Sequence, residues 1–351
     1  MLRSLKLLRL KKEYSKIWGQ ALPELTVGMR DPHYELVEKI MSHYQRYPDD
    51  TPLIEKTPQR LRSDARMNAL IHHQFSVQSP PAADVWNEMI LSNDGEIPVR
   101  VYLPPGRGPY PILIYFHGGG WTYGDLDTTH ATAVNILQKT GWVVITVDYR
   151  LAPEYPFPAA LHDCYAVLQW ASKQENALPM RGNGSQIIVA GQGTGANLAA
   201  SLCLYASAQN GPVIASQILI NPIVDLLNLD TVSTVNPPIP STASVEEMRF
   251  FINQYIKNPL SLTDSFVSPL HAGDLSDLPP AVIAAAEFAP LRSQSKKYAE
   301  KLLEANTPAE FILAEGLENG FFTMQNLLPR ANFYAQQILE TAITQVKEHA
   351  A

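Results

Sequence analysis

The sequence is poor in cysteine and has no long apolar run. Its 351 residues include only two cysteines, Cys164 and Cys203, and both occur in apolar, helix-like segments. This argues against a disulfide framework and predicts two buried core residues in a protein of a reducing, cytoplasmic compartment. No uninterrupted apolar stretch reaches the ~18 residues that a transmembrane helix needs. The first residues also lack the apolar block and cleavage site of a signal peptide.

Positive charge is scarce as well. Lysine and arginine number 27 against 34 aspartates and glutamates, which gives a formal net charge of −7. A surface that binds nucleic acid needs a basic excess, so no nucleic-acid partner is expected. Residues 1–12 are the exception, because five basic residues there alternate with leucines. Such a segment can make weak contact with a membrane surface, although we favour a helix packed on the protein with its lysines in solvent.

Patterns typical of metal sites are missing too. His72 and His73 are adjacent, and adjacent residues on a helix point about 100° apart, so they do not face one ion. No other set of histidines, aspartates and glutamates has the spacing of metal ligands. We therefore expect no metal and no other cofactor.

Helical and alternating patterns divide the chain. Residues 1–80 predict a helical cap segment, in which Asp31-Pro32 and Thr57-Pro58 mark helix starts. From Val85 onward, eight apolar segments of strand length alternate with segments of helix length. This pattern predicts an α/β fold with a mostly parallel sheet and helices on both faces. The first two strands are separated by a short turn and predict an antiparallel hairpin at one edge.

A second lid segment is predicted within the alternating region. Residues 225–262 interrupt the alternation with a proline-rich loop, followed by Ser244 and Glu247 in the spacing of a capping box. An excursion after a strand belongs over the carboxyl edge of the sheet, where pockets of α/β proteins lie. The core is accordingly assigned to residues 81–224 and 263–351.

Two glycine-rich turns follow predicted strands. Residues 115–125 read YFHGGGWTYGD, and three successive glycines let backbone amides approach a ligand oxygen without a Cβ in the way. Residues 190–197 read AGQGTGAN between a strand and a helix, the position at which a large class of hydrolases carries its nucleophile. The expected position of that nucleophile is Gly193, which has no side chain.

These motifs resemble those of the hormone-sensitive-lipase-like family of α/β-hydrolases. The similarity covers most of the chain and runs through Asp31-Pro32, HGGGW, VDYRLAPEYPFPAALHD (147–163), the elbow, SPL (268–270), LPPAVIAAAEFAPLR (278–292) and NGFF (319–322). The resemblance implies an α/β-hydrolase fold with an eight-stranded sheet and a helical cap. It also implies internal hydrogen bonds for Arg150 and Glu154 near Asp163, and a homodimer formed through late strands and helices.

Members of that family hydrolyse carboxylic esters with a Ser-Asp/Glu-His triad. Carried over by motif, the serine falls on Gly193, the acid on Ala289 in FAPLR and the histidine on Asn319 in ENGFF. Gly193 has no oxygen that could form an acyl-enzyme. Asn319 cannot accept a proton near neutral pH, and Ala289 cannot orient a histidine. All three catalytic positions are therefore degenerate.

No neighbour of these positions replaces the missing groups. Thr194 lies one residue past the elbow and is expected to face the pocket with its amide alone. His117, His130, His162 and His271 belong to other segments. Glu287 and Glu318 flank the positions of the lost acid and histidine without occupying them.

The oxyanion hole is the part of the site that the resemblance leaves in place. It is assigned to the backbone amides of Gly118 and Gly119, with Gly120 beside them, and to the amide of Thr194. Such donors bind a carbonyl, carboxylate or enolate oxygen. Gln192 and Asn319 are predicted to add neutral hydrogen bonds to the floor of a mostly apolar cleft.

Three functions fit this pattern, and we favour the first. A catalytically inactive homologue would bind a small acyl or carbonyl ligand, or a protein partner, through the inherited pocket and lid. A cyclase, isomerase or lyase would use the oxyanion hole without a nucleophile, since removing a triad still leaves about 10³–10⁴-fold acceleration over water. Ester hydrolysis by an atypical mechanism would need a nucleophile and a base that the motifs do not supply.

Overall fold

A computed structural model describes residues 10, 12–18, 20–44, 51–75, 84–229 and 244–349. Most of the basic segment 1–12, the join at Ser79-Pro80-Pro81 and the proline-rich loop of the second lid segment, with Pro237, Pro238 and Pro240, lie outside these residues. The membrane-surface contact predicted for residues 1–12 stays a prediction.

One eight-stranded sheet occupies the centre of the described chain. Its strands are β1 (Asp84–Ser92), β2 (Gly95–Leu103), β3 (Tyr110–Phe116), β4 (Val143–Val147), β5 (Gly182–Gln192), β6 (Ser216–Ile220), β7 (Ala281–Ala286) and β8 (Ala309–Ala314). They lie in the order β1-β2-β4-β3-β5-β6-β7-β8. Strand β2 is antiparallel to β1 and to β4, and the other neighbours are parallel. The predicted mostly parallel sheet with an antiparallel edge is confirmed.

Helices cover both faces of the sheet. The longer helices among the described residues are α1 (His33–Tyr44), α2 (Pro58–Phe75), α3 (His130–Thr140), α4 (Ala159–Ser172), α5 (Thr194–Ala208), α6 (Val245–Tyr255), α7 (Arg292–Glu304) and α8 (Pro329–Glu348). Shorter helical turns are Gln174–Ala177, Leu53–Glu55, Leu178–Met180, Pro259–Thr263, Pro269–His271 and Phe321–Met324. Within the described residues, no helix has the length and apolarity needed to cross a membrane.

The hydrophobic core has two parts, one on each face of the sheet. Strand β3 shows the division, because Ile112 and Ile114 belong to one cluster and Leu113 and Tyr115 to the other. Successive side chains of a strand point to opposite faces, so a strand covered on both sides is apolar throughout. Helices α4, α5 and α7 supply the first cluster, and α3 and α8 the second.

The two cysteines lie in the first of these clusters. Cys164 on α4 and Cys203 on α5 are both buried, and both are free thiols. Burial raises the pKa of both thiols above its ordinary value, because the thiolate would lose its hydration. Their prediction as core residues is confirmed.

The predicted helix starts in the amino-terminal region are also confirmed. Before α1, the Asp31 carboxylate accepts a hydrogen bond from the His33 amide at 2.8 Å. Before α2, the Thr57 hydroxyl accepts one from the Arg60 amide at 3.2 Å. Both satisfy amides that the first helical turn leaves unpaired. These two helices lie in the predicted cap and α6 in the predicted second lid segment, while the domain boundaries stay predictions.

An arginine of α2 fastens that helix to the α/β core. Arg62 donates hydrogen bonds to the carbonyls of Thr122 and Ala152 and to the Glu154 carboxylate. Arg150 in turn binds the buried Asp163 through several hydrogen bonds, the shortest side-chain one at 2.8 Å. The internal hydrogen bonds implied for Arg150, Glu154 and Asp163 are therefore present.

Candidate functional site

A small cavity lies at the carboxyl ends of the central strands. Its volume is about 130 Å³. Lining residues come from the loops after β3, β5, β6, β7 and β8 and from α6; they are Gly119, Gly120, Trp121, Tyr123, Gly193, Thr194, Asn221, Ile223, Met248, Phe251, Ile252, Ala289, Pro290, Leu291 and Asn319. This is the sheet edge at which open α/β folds bind their ligands.

The turn between β5 and α5 has the geometry of a nucleophile elbow. Gly193 adopts φ 57° and ψ −115° immediately after β5 and before the first residue of α5. Its amide donates to the Ile220 carbonyl at 2.8 Å, and its carbonyl accepts from the Asn197 amide at 3.0 Å. A Cβ atom at Gly193 would meet nothing within 4 Å. The elbow therefore presents this position openly, as catalysis at a serine would require.

The glycines that flank the elbow are required by close packing. A Cβ atom at Gly191 would collide with the backbone of Gly195, and one at Gly195 would collide with the carbonyl of Phe116. Side chains at these two positions would force the strand and the helix apart. The alternating glycines of GQGTG are thus explained by backbone approach, whatever residue stands at the centre.

The loop after β3 is held against this elbow. The Trp121 amide donates to the Thr194 hydroxyl at 3.4 Å, so that side chain is turned toward the loop. Among the described residues, the amides of Gly119 and Gly120 make no hydrogen bond. Unpaired amides at the rim of a cavity are available to a ligand oxygen. Gly119, Gly120 and Thr194 thus line the cavity, whereas Gly118, whose amide was assigned to the oxyanion hole, does not.

Two residues assigned to the site from the sequence lie outside the cavity lining. Gly118 packs against the elbow, where a Cβ atom would lie 2.8 Å from the Gln192 carbonyl oxygen. Gln192 ends β5, and its Nε2 lies 3.8 Å from where a Cβ atom at Gly320 would be. The contribution of Gln192 to the cavity floor stays a prediction.

The three positions that the family resemblance assigns to a catalytic triad lie at the same cavity. Gly193, Ala289 and Asn319 all line the one cavity, although they are far apart in sequence. Among the described lining residues, Tyr123 alone has a titratable side chain, and burial raises the pKa of its hydroxyl above the ordinary value near 10.0. No described lining residue is thus a base at neutral pH.

The two glutamates beside these positions have structural roles. The Glu287 carboxylate accepts hydrogen bonds from the Gly28 amide at 2.7 Å and the Gly316 amide at 2.8 Å. The buried Glu318 forms an ion pair with the half-buried Arg30, and burial raises the pKa of the Glu318 carboxyl. Both carboxylates fasten the amino-terminal segment to the loops near the cavity. Neither glutamate is among the residues that line the cavity.

The side chain of His117 packs against the glycine loop. Its ring is buried and stacks on Tyr149 with 4.3 Å between ring centres. Its Nδ1 lies 2.8 Å from the Gly118 carbonyl oxygen. Burial lowers the pKa of His117 to about 4, so the ring is neutral at physiological pH.

Helix α6 closes one side of the cavity. It contributes Met248, Phe251 and Ile252. The predicted capping box at its start is present: the Glu247 amide donates to the Ser244 hydroxyl at 3.1 Å, and the Ser244 amide donates to the Glu247 carboxylate at 2.7 Å.

Asn221 is one of the lining residues that the sequence analysis did not assign to the site. It follows β6, and its backbone has φ 47°. A polar residue at the carboxyl end of an otherwise apolar strand was the available signal.

Elsewhere in the described part of the chain, no group of three or more histidines, cysteines, aspartates and glutamates could hold a metal ion.

Comparison with known families identifies one match. The profile of a family described as having the alpha/beta hydrolase fold matches residues 113–323. This range contains the glycine loop, the elbow and all three degenerate positions.

Individual relatives are named as esterases. Carboxylic ester hydrolase LipN of Mycobacterium tuberculosis is 36% identical over 256 residues, which are 70% of this chain and 66% of LipN. Carboxylesterase NlhH of the same species is 36% identical over 253 residues, which are 70% of this chain and 77% of NlhH. The solved structure of an esterase from Pyrobaculum calidifontis superposes on this chain with a TM-score of 0.78 at 29% sequence identity. The superposition covers 84% of this chain and 95% of the esterase chain.

Proposed function

The chain belongs to the alpha/beta hydrolase family that contains these esterases, and on that premise we propose that its cavity binds a small acyl or carbonyl compound without forming an acyl-enzyme. The observation that carries the proposal is Gly193 at the centre of an intact elbow. Since the backbone geometry of the elbow is kept and its hydroxyl is missing, the covalent step has no nucleophile. The protein is in this respect an esterase-like homologue without the esterase triad.

The remaining groups of the cavity support binding. The free amides of Gly119 and Gly120 and the first amide of α5 are donors for one carbonyl oxygen. Met248, Phe251 and other apolar side chains surround that oxygen site. A volume of about 130 Å³ is below the roughly 300–1,000 Å³ of pockets for drug-sized ligands, so a short-chain compound is the expected ligand.

Ester hydrolysis is the second candidate, and the names of the relatives favour it. Water would have to attack an ester held in the oxyanion hole without help from a nucleophile at Gly193 or a base at Asn319. Polarisation by the amides would be the main source of acceleration.

An assay of short-chain p-nitrophenyl esters distinguishes the two candidates. The wild-type protein is compared with the triple variant Gly193→Ser, Ala289→Asp, Asn319→His, which restores the triad at the three cavity positions. We expect the wild type to match the blank without protein and the triple variant to release p-nitrophenol in a burst followed by turnover. The matched control is the triple variant Gly193→Ala, Ala289→Asp, Asn319→His, which differs only in lacking the hydroxyl. Its rate of p-nitrophenol release should equal that of the blank.

Repeated turnover by the wild type would contradict the proposal. The variant Ala289→Leu fills the cavity with a larger side chain. Its rate of ester hydrolysis therefore shows whether any turnover by the wild type takes place in the cavity. If the wild type hydrolyses the esters and this variant does not, ester hydrolysis is the function of the cavity.

A further inference from the structure

We propose that Asn221 is a ligand-binding residue and that it selects small, uncharged compounds with two hydrogen-bond acceptors. The inference rests on the proposed function, because it concerns the same cavity. It adds a second contact point to the oxyanion hole and thereby narrows the class of ligand to diketones, keto esters and similar dicarbonyl compounds.

Asn221 lies between two of the degenerate catalytic positions. Strand β6 pairs with β5 on one side and with β7 on the other, so the residue after β6 lies between the elbow and the loop after β7. The carbonyl of the preceding residue, Ile220, accepts a hydrogen bond from the Gly193 amide. The Asn221 amide donates a hydrogen bond to the Ala284 carbonyl at 2.7 Å. Asn221 therefore belongs to the floor of the cavity, close to where a triad would act.

The orientation of the Asn221 side chain is fixed by one hydrogen bond. Its Oδ1 accepts from the Ala286 amide at 2.8 Å. A backbone amide needs an acceptor, so the oxygen must be on that side and the Nδ2 group on the other. Asn221 is only 5% exposed, and among the described residues its Nδ2 has no hydrogen-bond partner. A buried, unsatisfied donor thus belongs to a residue that lines the cavity.

The backbone of Asn221 is also unusual. Its φ of 47° lies in the left-handed region of backbone conformations. Residues other than glycine, asparagine and aspartate are seldom found there. Such conformations collect at binding sites, where the surrounding structure enforces them. The conformation and the unsatisfied donor are two independent observations at one residue.

The chemistry of the lining defines the compound that satisfies this donor. One oxygen atom of the ligand would accept hydrogen bonds from the amides of Gly119 and Gly120. A second oxygen atom would accept a hydrogen bond from Asn221 Nδ2. A carboxylate at either point would be buried without a cation, since the described lining residues include no lysine, arginine or histidine. Two neutral carbonyl groups on a short apolar chain match both the donors and the walls.

Binding of paired ketones tests the inference. Hexane-2,5-dione is compared with hexan-2-one, and pentane-2,4-dione with pentan-2-one, by ligand-observed NMR titration; none of these compounds is an ester. For the wild type, we expect at least one dione to bind roughly fivefold to tenfold more tightly than its monoketone, the gain typical of one hydrogen bond.

The variant Asn221→Asp isolates the donor. Aspartate keeps an oxygen for the Ala286 amide and tolerates the left-handed backbone, but it puts an oxygen in place of Nδ2. The ratio of dione affinity to monoketone affinity should fall to about one. Asn306→Asp is the matched control, because Asn306 also has a left-handed backbone, at φ 62°, and lies outside the cavity lining; it should keep the wild-type ratio.

Thermal unfolding of each variant confirms that it is folded. Equal affinities for diones and monoketones in the wild type would overturn the inference and leave the proposed function standing. A preference that survives in Asn221→Asp would overturn it as well. If none of the ketones binds the wild type, the proposed function fails together with the inference.

Discussion

Gly193 changes the conformational energy of the elbow as well as its chemistry. The combination of φ 57° and ψ −115° costs a residue with a side chain on the order of 1–3 kcal/mol, whereas glycine adopts it freely. An elbow that carries a nucleophile holds this strain for the sake of catalysis. The present chain retains the backbone of such an elbow without the strain.

Restoring only the serine should therefore destabilise the protein. We expect Gly193→Ser to lower the free energy of unfolding by about 1–3 kcal/mol, measured by urea denaturation. The added side chain has free space, since a Cβ atom there meets nothing within 4 Å. Gly273→Ser is the matched control, because Gly273 also has free space but no positive φ. Equal effects of the two substitutions would argue against strain at the elbow.

His117 should make the protein sensitive to acid. Its pKa is lowered by burial from the ordinary 6.5 to about 4, so between these values the unfolded chain binds a proton that the folded chain does not. The stability contributed by the neutral ring is complete above about pH 6.5 and is lost as the pH falls toward 4.

The variant His117→Phe retains an aromatic ring for Tyr149 and removes the titrating group. Compared with the wild type, its melting temperature should fall less between pH 7 and pH 4.5. The exposed His349 provides the control, and His349→Phe should keep the wild-type dependence on pH. An unchanged dependence in His117→Phe would show that protonation of this ring does not contribute to acid unfolding.

At the scale of whole elements, the start of α6 controls one wall of the cavity. Ser244→Ala removes the acceptor of the Glu247 amide, and loss of a helix cap costs about 1 kcal/mol. Because Met248, Phe251 and Ile252 depend on the placement of this helix, the affinity for hexan-2-one should fall as well. Urea denaturation and NMR titration measure the two effects. Ser207→Ala, at the exposed end of α5, should alter neither.

The elements themselves were largely predictable from local patterns. All eight strands were indicated by apolar runs of strand length, and both proline-marked helix starts by the residue before the proline. The direction of individual side chains at strand ends was not predictable. Gln192 ends one central strand and Asn221 follows the next, yet only Asn221 of these two is among the residues that line the cavity. Their directions depend on the twist of the sheet and on partners such as the Ala286 amide, which are distant in sequence.

At the scale of the molecule, two ion pairs join the amino-terminal segment to the carboxyl-terminal part of the chain. Asp31, just before α1, binds Arg330 at the start of α8 at 2.7 Å, with both side chains buried. Arg30 pairs with Glu318 in the same region. The amino-terminal segment is thus fastened to the part of the chain that carries Asn319.

Breaking the Asp31 pair should destabilise the whole protein. Asp31→Asn keeps an acceptor for the His33 amide but leaves the buried Arg330 charge without a counter-ion. The expected loss is about 3–5 kcal/mol in the free energy of unfolding, measured by urea denaturation. The control Glu35→Gln disrupts an exposed pair with Lys39 and should have little effect. Comparable losses in both variants would contradict a special role for the buried pair.

The empty elbow also determines which reagents can detect this protein. Fluorophosphonate probes label serine hydrolases because the activated serine attacks phosphorus and expels fluoride. At Gly193 there is no oxygen to make that bond, although the turn has the geometry of a nucleophile elbow. Active esterases of the same family would become labelled in a cell extract, whereas under the proposed function we expect this protein to remain unlabelled. Its abundance would then be followed by mass or by antibody and not by reactivity.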